Sequence, residues 1–222
     1  MDRTPDSGCT HPPAALPLTE ADLDGAGVRL HQKGKWRKAD ILLLETERGR
    51  AVVKDFSGKL LPVRWYGRWQ IRREASIYRR LSGIGGVPRY YGRIGKNAMA
   101  IEFIQGERIS QWKRRELPPA LFARLWALIQ EIHSRGVVHI DLRKRDNILI
   151  NASGEVFIID FNASFRFNPG SRGERWLFPV LRKIDHFGFL KWKAALAPGQ
   201  LSEAEKNSFQ RMSFLRRFWI FK

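Results

Sequence analysis

The sequence predicts an α+β fold with two lobes, a β-rich N-terminal lobe followed by a compact, mostly helical C-terminal lobe. Short apolar runs typical of strands fill the first half of the chain, at 41–45, 51–56, 89–94 and 98–104. The strongest patterns of helical period come later. The chain has 222 residues and a hydrophobic content of 43%, which suffices for one compact domain or two small lobes with real cores.

The N-terminal half divides into a tail, a set of strands and one helix. Residues 1–27 are rich in Pro, Ala and Asp and are predicted to be a flexible tail. Residues 28–104 form the predicted β-rich lobe, in which a turn at 46–50 joins the first two apolar runs. A basic amphipathic helix is predicted from about residue 64 to 81, and GIGGVP ends it. The apolar side of this helix consists of Ile71, Ala75, Tyr78 and Leu81.

Residues 105–222 form the predicted helical lobe, which begins where Gln105-Gly106-Glu107 crosses from the strands. Pro118 and Pro119 open a strong helix that Gly136 ends. The last helix begins at Ser202, and Glu205 three residues later completes a capping-box signature. The apolar stripes are Leu121, Leu125, Leu128 and Ile132 in the first of these helices, and Phe209, Met212, Leu215 and Trp219 in the last.

Charge is the unusual feature of the composition. The chain has 40 Lys and Arg against 22 Asp and Glu, a net charge of +18, although one Arg and five acidic residues give residues 1–27 a charge of −4. A field of this kind attracts polyanions. The single cysteine, Cys9, excludes an internal disulfide framework, and no apolar run reaches the ~18 residues of a membrane span. Since the first residues also lack a signal-peptide pattern, we expect a cytoplasmic protein.

The residues that carry chemistry are concentrated between His139 and Asp160. His139-Ile140-Asp141-Leu142, followed by Asn147, resembles the catalytic loop of the protein-kinase superfamily. Asp160 ends a short apolar strand, in the place of the family's metal-binding motif. Phosphoryl transfer needs a carboxylate that orients the acceptor hydroxyl and oxygen ligands for metal ions. The resemblance implies that Asp141 has the first role and that Asn147 and Asp160 bind Mg²⁺.

The catalytic loop departs from the family pattern at one point. The segment from Asp141 to Asn147 is one residue longer than in the family, whereas the spacing from Asn147 to Asp160 is the usual one. Counting forward from Asp141 without a gap selects Asp146 as the metal ligand instead. Asn147 is preferred because two apolar residues follow it, as they follow the family's asparagine, and Asp146 is kept as its rival.

The resemblance also implies an ATP-binding site in the N-terminal lobe. Lys54 ends the apolar run Val52-Val53, like the lysine that holds the α- and β-phosphates, and Glu74 on the next helix is its expected ion-pair partner. The phosphate-covering loop is the poorest match, because QKGKWRK has Gly34 as its only glycine. Lysine and arginine side chains of this loop would bind the phosphates in place of closely approaching backbone amides. Because the glycine pattern is poor, a catalytically silent kinase fold is kept among the alternatives.

Adenine is expected to contact backbone groups of a hinge that runs from Glu102 to Ile104. Val52 and Leu149 are the expected apolar walls of its pocket. ATP and Mg²⁺ are therefore the predicted cofactors. By the same resemblance, His139 supports the catalytic loop, and Asp185 stands where kinase-like folds place a supporting aspartate on a helix.

The resemblance covers about residues 28 to 165 and is strongest to small atypical bacterial and RIO-like kinases, including the lipopolysaccharide core sugar (Kdo and heptose) kinases. Three cations in the catalytic loop, Arg143, Lys144 and Arg145, lie where an acceptor must approach its base, which favours an anionic acceptor. A hydroxyl of a lipopolysaccharide core sugar or a similar glycolipid is the preferred acceptor. The alternatives are a RIO-like Ser/Thr protein kinase and a catalytically silent scaffold on membrane or nucleic acid.

The segment 165–222 interleaves aromatic rings with Lys and Arg. On a membrane-facing surface such a segment would hold the protein peripherally on the cytoplasmic face of an inner membrane. The other interpretation places the rings in the core and the cations on a solvated face. Nucleic acid is the less favoured partner, because no RNA-binding motif accompanies these residues.

Overall fold

The structure is a computed structural model, which describes residues 27–46, 49–113, 116–118 and 120–218. The predicted tail at 1–27, apart from Gly27, and Cys9 lie outside the described residues. The same is true of the side chains of Leu215 and Trp219, which were assigned to the apolar face of the last helix.

Five antiparallel strands form the N-terminal sheet, in the order β1-β2-β3-β5-β4. Side chains along a strand point alternately to the two faces of the sheet. Ala51 and Val53 are therefore buried on the outer face, whereas Val52 and Lys54 face the C-terminal lobe. The strands are β1 (Val28–Gln32), β2 (Asp40–Thr46), β3 (Gly49–Asp55), β4 (Tyr90–Ile94) and β5 (Ala98–Glu102).

Helix α1 (Leu61–Arg80) connects β3 to β4 and packs against the sheet. The prediction of a start near residue 64 was wrong by one turn. The helix begins earlier because Pro62 lies in its first turn, where a proline costs no hydrogen bond. The four predicted apolar positions are all buried. Gly67 allows the close approach of Phe56, since a Cβ at this position would lie 2.4 Å from the Phe56 ring.

The C-terminal lobe contains four helices and several very short strands within the described residues. Strands β6, β8 and β9 form one small sheet, and β7 pairs with β10. The helices are α2 (Leu121–Ser134), α3 (Arg172–Trp176), α4 (Phe178–Leu196) and α5 (Glu203–Phe218). The strands are β6 (Glu107–Arg108), β7 (Val137–Val138), β8 (Ile148–Ile150), β9 (Val156–Ile158) and β10 (Phe165–Arg166).

The residues predicted to end α2 and to cap the start of α5 are confirmed in these roles. The apolar stripe of α2 is buried, and Gly136 follows the helix with a φ of 69°. At the start of α5 the Ser202 amide donates to Glu205 at 2.8 Å, and the Glu205 amide donates to the Ser202 hydroxyl at 3.2 Å. Lys193 of α4 also donates to the Glu205 carboxylate, at 2.7 Å, so that the cap is joined to the neighbouring helix.

Three aromatic residues of α4 belong to the protein core. Phe187, Phe189 and Trp192 are buried, which agrees for these three rings with the interpretation that placed the rings of the segment in the core. Trp192 also donates its indole N–H to the Leu142 carbonyl at 2.8 Å, which supports the loop after Asp141. Among the described residues no helix combines the length and apolar character needed to cross a bilayer.

The main apolar core is continuous between the two lobes. It includes Tyr78 of α1, Met99 of β5, Leu125 of α2 and Leu190 of α4, each almost completely buried. The predicted α+β order, with a sheet first and helices after it, is therefore confirmed. Its consequence is a cleft between the inner face of the sheet and the short strands of the C-terminal lobe.

Candidate active site

The cleft between the lobes has a volume of about 540 Å³ and brings together most of the residues that the sequence singled out. It is lined from the N-terminal lobe by the sheet and α1, and from the C-terminal lobe by the segment from residue 144 to 162. Eleven of the predicted site residues line it, namely Gly34, Val52, Lys54, Glu74, Glu102, Ile104, Lys144, Asp146, Asn147, Leu149 and Asp160.

Lys54 forms the centre of an ion-paired cluster in the cleft. Its Nζ lies 2.6 Å from Glu74 Oε1 and 2.7 Å from Asp160 Oδ1. Burial alone would lower the pKa of Lys54, but the charges of Glu74 and Asp160 outweigh it and raise the pKa. The charge of Lys54 lowers the pKa of Asp160 to about 2, against the opposite effect of burial. At neutral pH the cleft therefore contains an ammonium group beside a carboxylate that stays ionised.

The strand register explains how Lys54 reaches this position. Ile41 on β2 and Met99 on β5 are its cross-strand partners in the sheet. Glu74 is the one acidic residue in α1, and it lies on the buried face of the helix. Ile41 also lines the cleft and was not among the predicted site residues. Pairing the apolar run 41–45 with the run 51–56 could have identified this residue. A residue opposite Lys54 on the neighbouring strand lies on the same face of the sheet.

Asp185 of α4 holds the backbone of the catalytic loop. Its carboxylate accepts hydrogen bonds from the amides of His139 at 2.8 Å and Ile140 at 2.6 Å, and His133 Nε2 lies 2.9 Å from it. Asp185 is only 1% exposed. Ile140 has a φ of 58°, in the left-handed region that β-branched residues rarely adopt. The expected supporting aspartate is thus found in contact with the loop, and His133 is an additional support that the sequence analysis missed.

His139 contacts the loop and the strand end, as expected for a supporting residue. Its Nε2 lies 3.0 Å from the Ile159 carbonyl, and its Nδ1 lies 3.3 Å from the Asp141 amide. The ring of His139 also packs edge-on against Phe161, with centroids 4.9 Å apart. These contacts connect the loop that carries Asp141 to the segment that carries Asp160.

The Asn147 side chain is buried and hydrogen-bonded to the main chain of the catalytic loop. The side chain of its rival Asp146 is exposed. Asn147 Nδ2 donates to the Asp141 carbonyl at 3.1 Å, and this leaves the amide oxygen as the atom suited to a cation. The Asp146 side chain is 61% exposed and pairs with Arg108 at 3.0 Å. This geometry favours Asn147 as the metal ligand.

The donor set in the cleft suits Mg²⁺ rather than a metal held by protein alone. No group of three or more His, Cys, Asp or Glu side chains that could hold a metal ion occurs in the part of the chain that the structure describes. Mg²⁺ is commonly bound by one or two protein oxygens together with water and substrate phosphates. Asn147 and Asp160, which both line the cleft, match that requirement.

The three cations of the catalytic loop have different environments. Lys144 Nζ lies 2.5 Å from Asp141 Oδ2, and Lys144 also lines the cleft. Arg145 is exposed. Arg143 is half-buried beside α4, where its carbonyl accepts a hydrogen bond from Lys191 at 2.7 Å and its Nε is buried. Two of the three predicted acceptor-binding cations are therefore on the open side of the loop.

The loop over the cleft is held by a polar cluster that the sequence analysis missed. The Gly34 amide donates to Asp40 Oδ1 at 2.7 Å. Lys59, just before α1, donates to the same oxygen at 2.6 Å and to the Gly34 carbonyl at 3.0 Å. A Cβ at position 34 would lie 2.2 Å from the Ala39 carbonyl oxygen, so the loop conformation requires glycine.

The hinge segment from Glu102 to Ile104 lines the cleft, and the contact of adenine with its backbone groups stays a prediction. The carboxylate of Glu102 is engaged by Arg89, whose guanidinium lies 2.9 Å away. The Phe103 amide donates to the Arg50 carbonyl at 3.2 Å. Ile101 lines the cleft in addition to the three residues of the predicted hinge.

Short stretches of the chain are similar in sequence to protein kinases, although no protein-family model matches it. Sperm motility kinase Z of Mus musculus is 43% identical over 56 residues, which are 25% of this chain and 11% of that protein. A probable cAMP-dependent protein kinase catalytic subunit of Encephalitozoon cuniculi is 29% identical over 104 residues, 43% of this chain and 32% of that protein. The serine/threonine-protein kinase PknD of Chlamydia trachomatis serovar D is 50% identical over 44 residues, 20% of this chain and 5% of that protein. The chain thus spans at most a third of the length of these relatives.

The three-dimensional similarity is far more extensive than the sequence similarity. The Rio2 kinase of Chaetomium thermophilum, solved as an ADP/Mg²⁺-phosphoaspartate complex, superposes with a TM-score of 0.57 and 18% identity. The match covers 86% of this chain and 62% of the Rio2 chain. The chain therefore has the fold of a protein kinase, with a β-sheet N-terminal lobe and a helical C-terminal lobe.

Proposed function

We propose that this chain is an ATP-dependent kinase, which transfers the γ-phosphate of ATP to a hydroxyl group. One observation carries the proposal. Lys54, bonded to both Glu74 and Asp160, shares a cleft with Asn147, and the Asn147 side chain is bonded to the main chain of Asp141. Phosphoryl transfer needs a cation, oxygen ligands for a metal and a carboxylate beside the acceptor, and these residues supply them.

The N-terminal part of the cleft would bind the nucleotide. Val52 and Leu149 line it and would contact the two faces of adenine, while main-chain groups of the segment from Glu102 to Ile104 would bind its edge. Lys54 would hold the α- and β-phosphates, with Glu74 keeping its ammonium group in place. Mg²⁺, held by Asn147 and Asp160, would offset the negative charge on the phosphate oxygens.

Asp141 would accept the proton of the acceptor. In the transfer step the acceptor oxygen bonds to the γ-phosphorus, the bond from that phosphorus to the β,γ-bridging oxygen breaks, and the hydroxyl proton passes to the Asp141 carboxylate. The Asp141 side chain is 17% exposed, which allows an acceptor to approach. Lys144 now contacts this carboxylate and would release it to the acceptor hydroxyl, remaining close enough to contact the transferred phosphate.

Loss of turnover in Asp141→Asn tests the proposed activity. We expect ATP-dependent phosphorylation, followed with γ-labelled ATP, to fall by about 10²–10⁴-fold, the usual contribution of a general base. Glu131→Gln, a carboxylate change on the exposed side of α2, is the matched control and should retain wild-type turnover. A folded wild-type protein that neither binds nor turns over ATP would instead support the silent-scaffold alternative.

The choice between Asn147 and Asp146 is testable in the same assay. We expect Asn147→Ala to raise the Mg²⁺ concentration needed for half-maximal turnover by at least about tenfold, because a metal ligand is lost. Asp146→Ala, which removes an exposed pair with Arg108, should change it little. A larger effect in Asp146→Ala would reverse the assignment.

We propose an anionic acceptor, with a hydroxyl of a lipopolysaccharide core sugar or a similar glycolipid as the first candidate. Lys144 at Asp141 and the exposed Arg145 support this choice, since they place positive charge on the acceptor side of the loop. A Ser/Thr protein acceptor is the second candidate, and the short sequence similarity to the serine/threonine-protein kinase PknD supports it. Transfer of labelled phosphate to purified core oligosaccharide, compared with acidic and basic test proteins, distinguishes them. Absence of transfer to any glycan would exclude the first candidate and leave the kinase proposal intact.

A further inference from the structure

Large apolar side chains form a continuous stripe on the outer side of α1. Leu61, Trp65 and Trp69 follow one another at intervals of four residues, which places them on one side of the helix. Their side chains are 67%, 74% and 54% exposed, and Leu60 just before the helix is 71% exposed. Exposed apolar patches of this kind are uncommon on soluble proteins and usually mark a binding surface.

The loop between β1 and β2 lies beside α1 and carries a further exposed tryptophan. Trp36 in the loop is 74% exposed. The neighbouring Arg37 places its guanidinium 5.2 Å from the centre of the Tyr66 ring on α1, so the loop and the helix are adjacent. We call Trp36, Leu60, Leu61, Trp65 and Trp69 the α1 face.

The segments that carry the α1 face are rich in positive charge. Residues 33–39 and 60–73, which contain the face, include eight Lys and Arg and no Asp or Glu. Arg72 follows Trp65 by two helical turns and is exposed on the same side of α1. The acidic residues next in sequence are engaged elsewhere, Asp40 with Lys59 and Glu74 with Lys54. The surface is therefore apolar and cationic at once.

We infer that the α1 face binds the surface of an anionic lipid membrane. Tryptophan is enriched at the boundary between headgroups and acyl chains, and Lys and Arg are attracted to anionic headgroups. A helix that carries both on its exposed side has the composition of interfacial membrane-binding helices. An acidic protein would complement the positive charge. It would not provide the apolar environment that a membrane offers to the three exposed tryptophans and two leucines.

The inferred surface differs from the one expected from the sequence. The C-terminal segment was the surface predicted to contact a membrane. Three of its rings, Phe187, Phe189 and Trp192, are in the core, whereas Trp176 is 74% exposed. The α1 face lies in the other lobe, beside the loop that covers the cleft. The inference goes beyond the proposed kinase activity and does not depend on it, because lipid binding is measured without nucleotide.

Vesicle co-sedimentation of the full chain tests the inference. We expect wild type to bind vesicles of phosphatidylcholine with phosphatidylglycerol, and to bind vesicles of phosphatidylcholine alone at least about tenfold more weakly. The double variant Trp65→Ala/Trp69→Ala should weaken binding to anionic vesicles by about tenfold or more. Trp36→Ala should weaken it as well, which provides a second variant in a different element.

Trp176→Ala is the matched control. Trp176 is 74% exposed, like Trp65, but lies on α3 in the C-terminal lobe. Its loss should leave vesicle binding within about twofold of wild type, and circular dichroism should show that all variants are folded. Equal weakening by Trp176→Ala and Trp65→Ala/Trp69→Ala would overturn the inference. So would failure of wild type to bind anionic vesicles, or binding of a single-stranded oligonucleotide or an acidic protein through these tryptophans in the absence of vesicle binding.

Discussion

Ile140 shows how a single residue of the catalytic loop is set by a partner far away in the sequence. Its φ of 58° is unfavourable for a β-branched side chain, and the amides of His139 and Ile140 both point to the buried carboxylate of Asp185. The two charge-assisted hydrogen bonds offset the backbone cost. The position of Asp185 was foreseen from its resemblance to a supporting aspartate. The conformation of Ile140 was not, because isoleucine is among the residues least associated with it.

The ionised state of Asp160 gives a pH prediction. Because Lys54 lowers the pKa of Asp160 from 3.8 to about 2, the contribution of this ion pair to stability is complete above about pH 4 and is lost as the pH falls through 2. We expect the difference in free energy of unfolding between wild type and Asp160→Asn to be constant from pH 7 to about pH 5. It should shrink between about pH 4 and pH 2. Urea unfolding at a series of pH values measures it, and a difference that persists unchanged to pH 2 would contradict the proposed pairing.

The β1–β2 loop behaves as an element fixed by side chains rather than by a glycine-rich sequence. Asp40 and Lys59 bond to the main chain of Gly34 on both sides, through its amide and its carbonyl. Because Lys59 lies two residues before the first residue of α1, the loop is joined to the start of that helix as well as to the sheet. Because the loop has a single glycine, it was expected to be the weakest part of the phosphate site. The hydrogen bonds of Asp40 and Lys59 order this loop without further glycines.

Gly34→Ala tests the importance of this loop. The added Cβ would lie 2.2 Å from the Ala39 carbonyl oxygen, so the backbone must move and carry the loop away from the cleft. We expect the Kd for ATP, measured with a fluorescent analogue, to rise by about tenfold. Gly58→Ala is the control, because its Cβ would have only Asp40 Oδ2 at 4.0 Å as a neighbour. Similar affinities in the two variants would show that the loop does not bind the nucleotide.

The elements differ in how far the sequence predicted them. The strands were predicted from short apolar runs and α1 from apolar residues at intervals of three to four, whereas the pairing of Glu74 with Lys54 was implied by the resemblance to kinases. The start of α1 was misplaced, since Leu61 and Pro62 precede its buried stripe. The α1 face could not be distinguished from a buried face, because tryptophan at helical spacing is equally typical of a core. Only the packing of Ile71 and Tyr78 inward shows that Trp65 and Trp69 point outward.

At the scale of the whole molecule, aromatic rings connect the two lobes. Tyr90 of β4 stacks on Tyr78 of α1 with centroids 6.5 Å apart, and Tyr78 meets Phe161 edge-on at 5.2 Å. Phe161 in turn contacts His139 of the catalytic loop. The column therefore runs from the N-terminal sheet through α1 to the loop that carries Asp141. The periodicity of the sequence assigns Tyr78 to a core, but it does not identify Phe161 as the ring that Tyr78 contacts across the cleft.

Phe161→Ala tests the contribution of this column. Phe161 is completely buried, so its truncation should lower the free energy of unfolding by about 3–5 kcal/mol, from lost burial and the cavity left behind. Phe165→Ala, four residues later, is the matched control, since Phe165 is 41% exposed. We expect it to cost less than about 1 kcal/mol. Chemical denaturation of both variants measures the difference, and equal costs would show that the column does not hold the lobes together.

The support of the catalytic loop by Asp185 also has a consequence for biosynthesis. Asp185 follows Ile140 by 45 positions, and its carboxylate accepts hydrogen bonds from the consecutive amides of His139 and Ile140. A nascent chain that ends before α4 contains the whole catalytic motif but lacks the group that shapes it. The enzyme proposed here would therefore acquire its activity late in translation, only after α4 has emerged from the ribosome and packed against the loop.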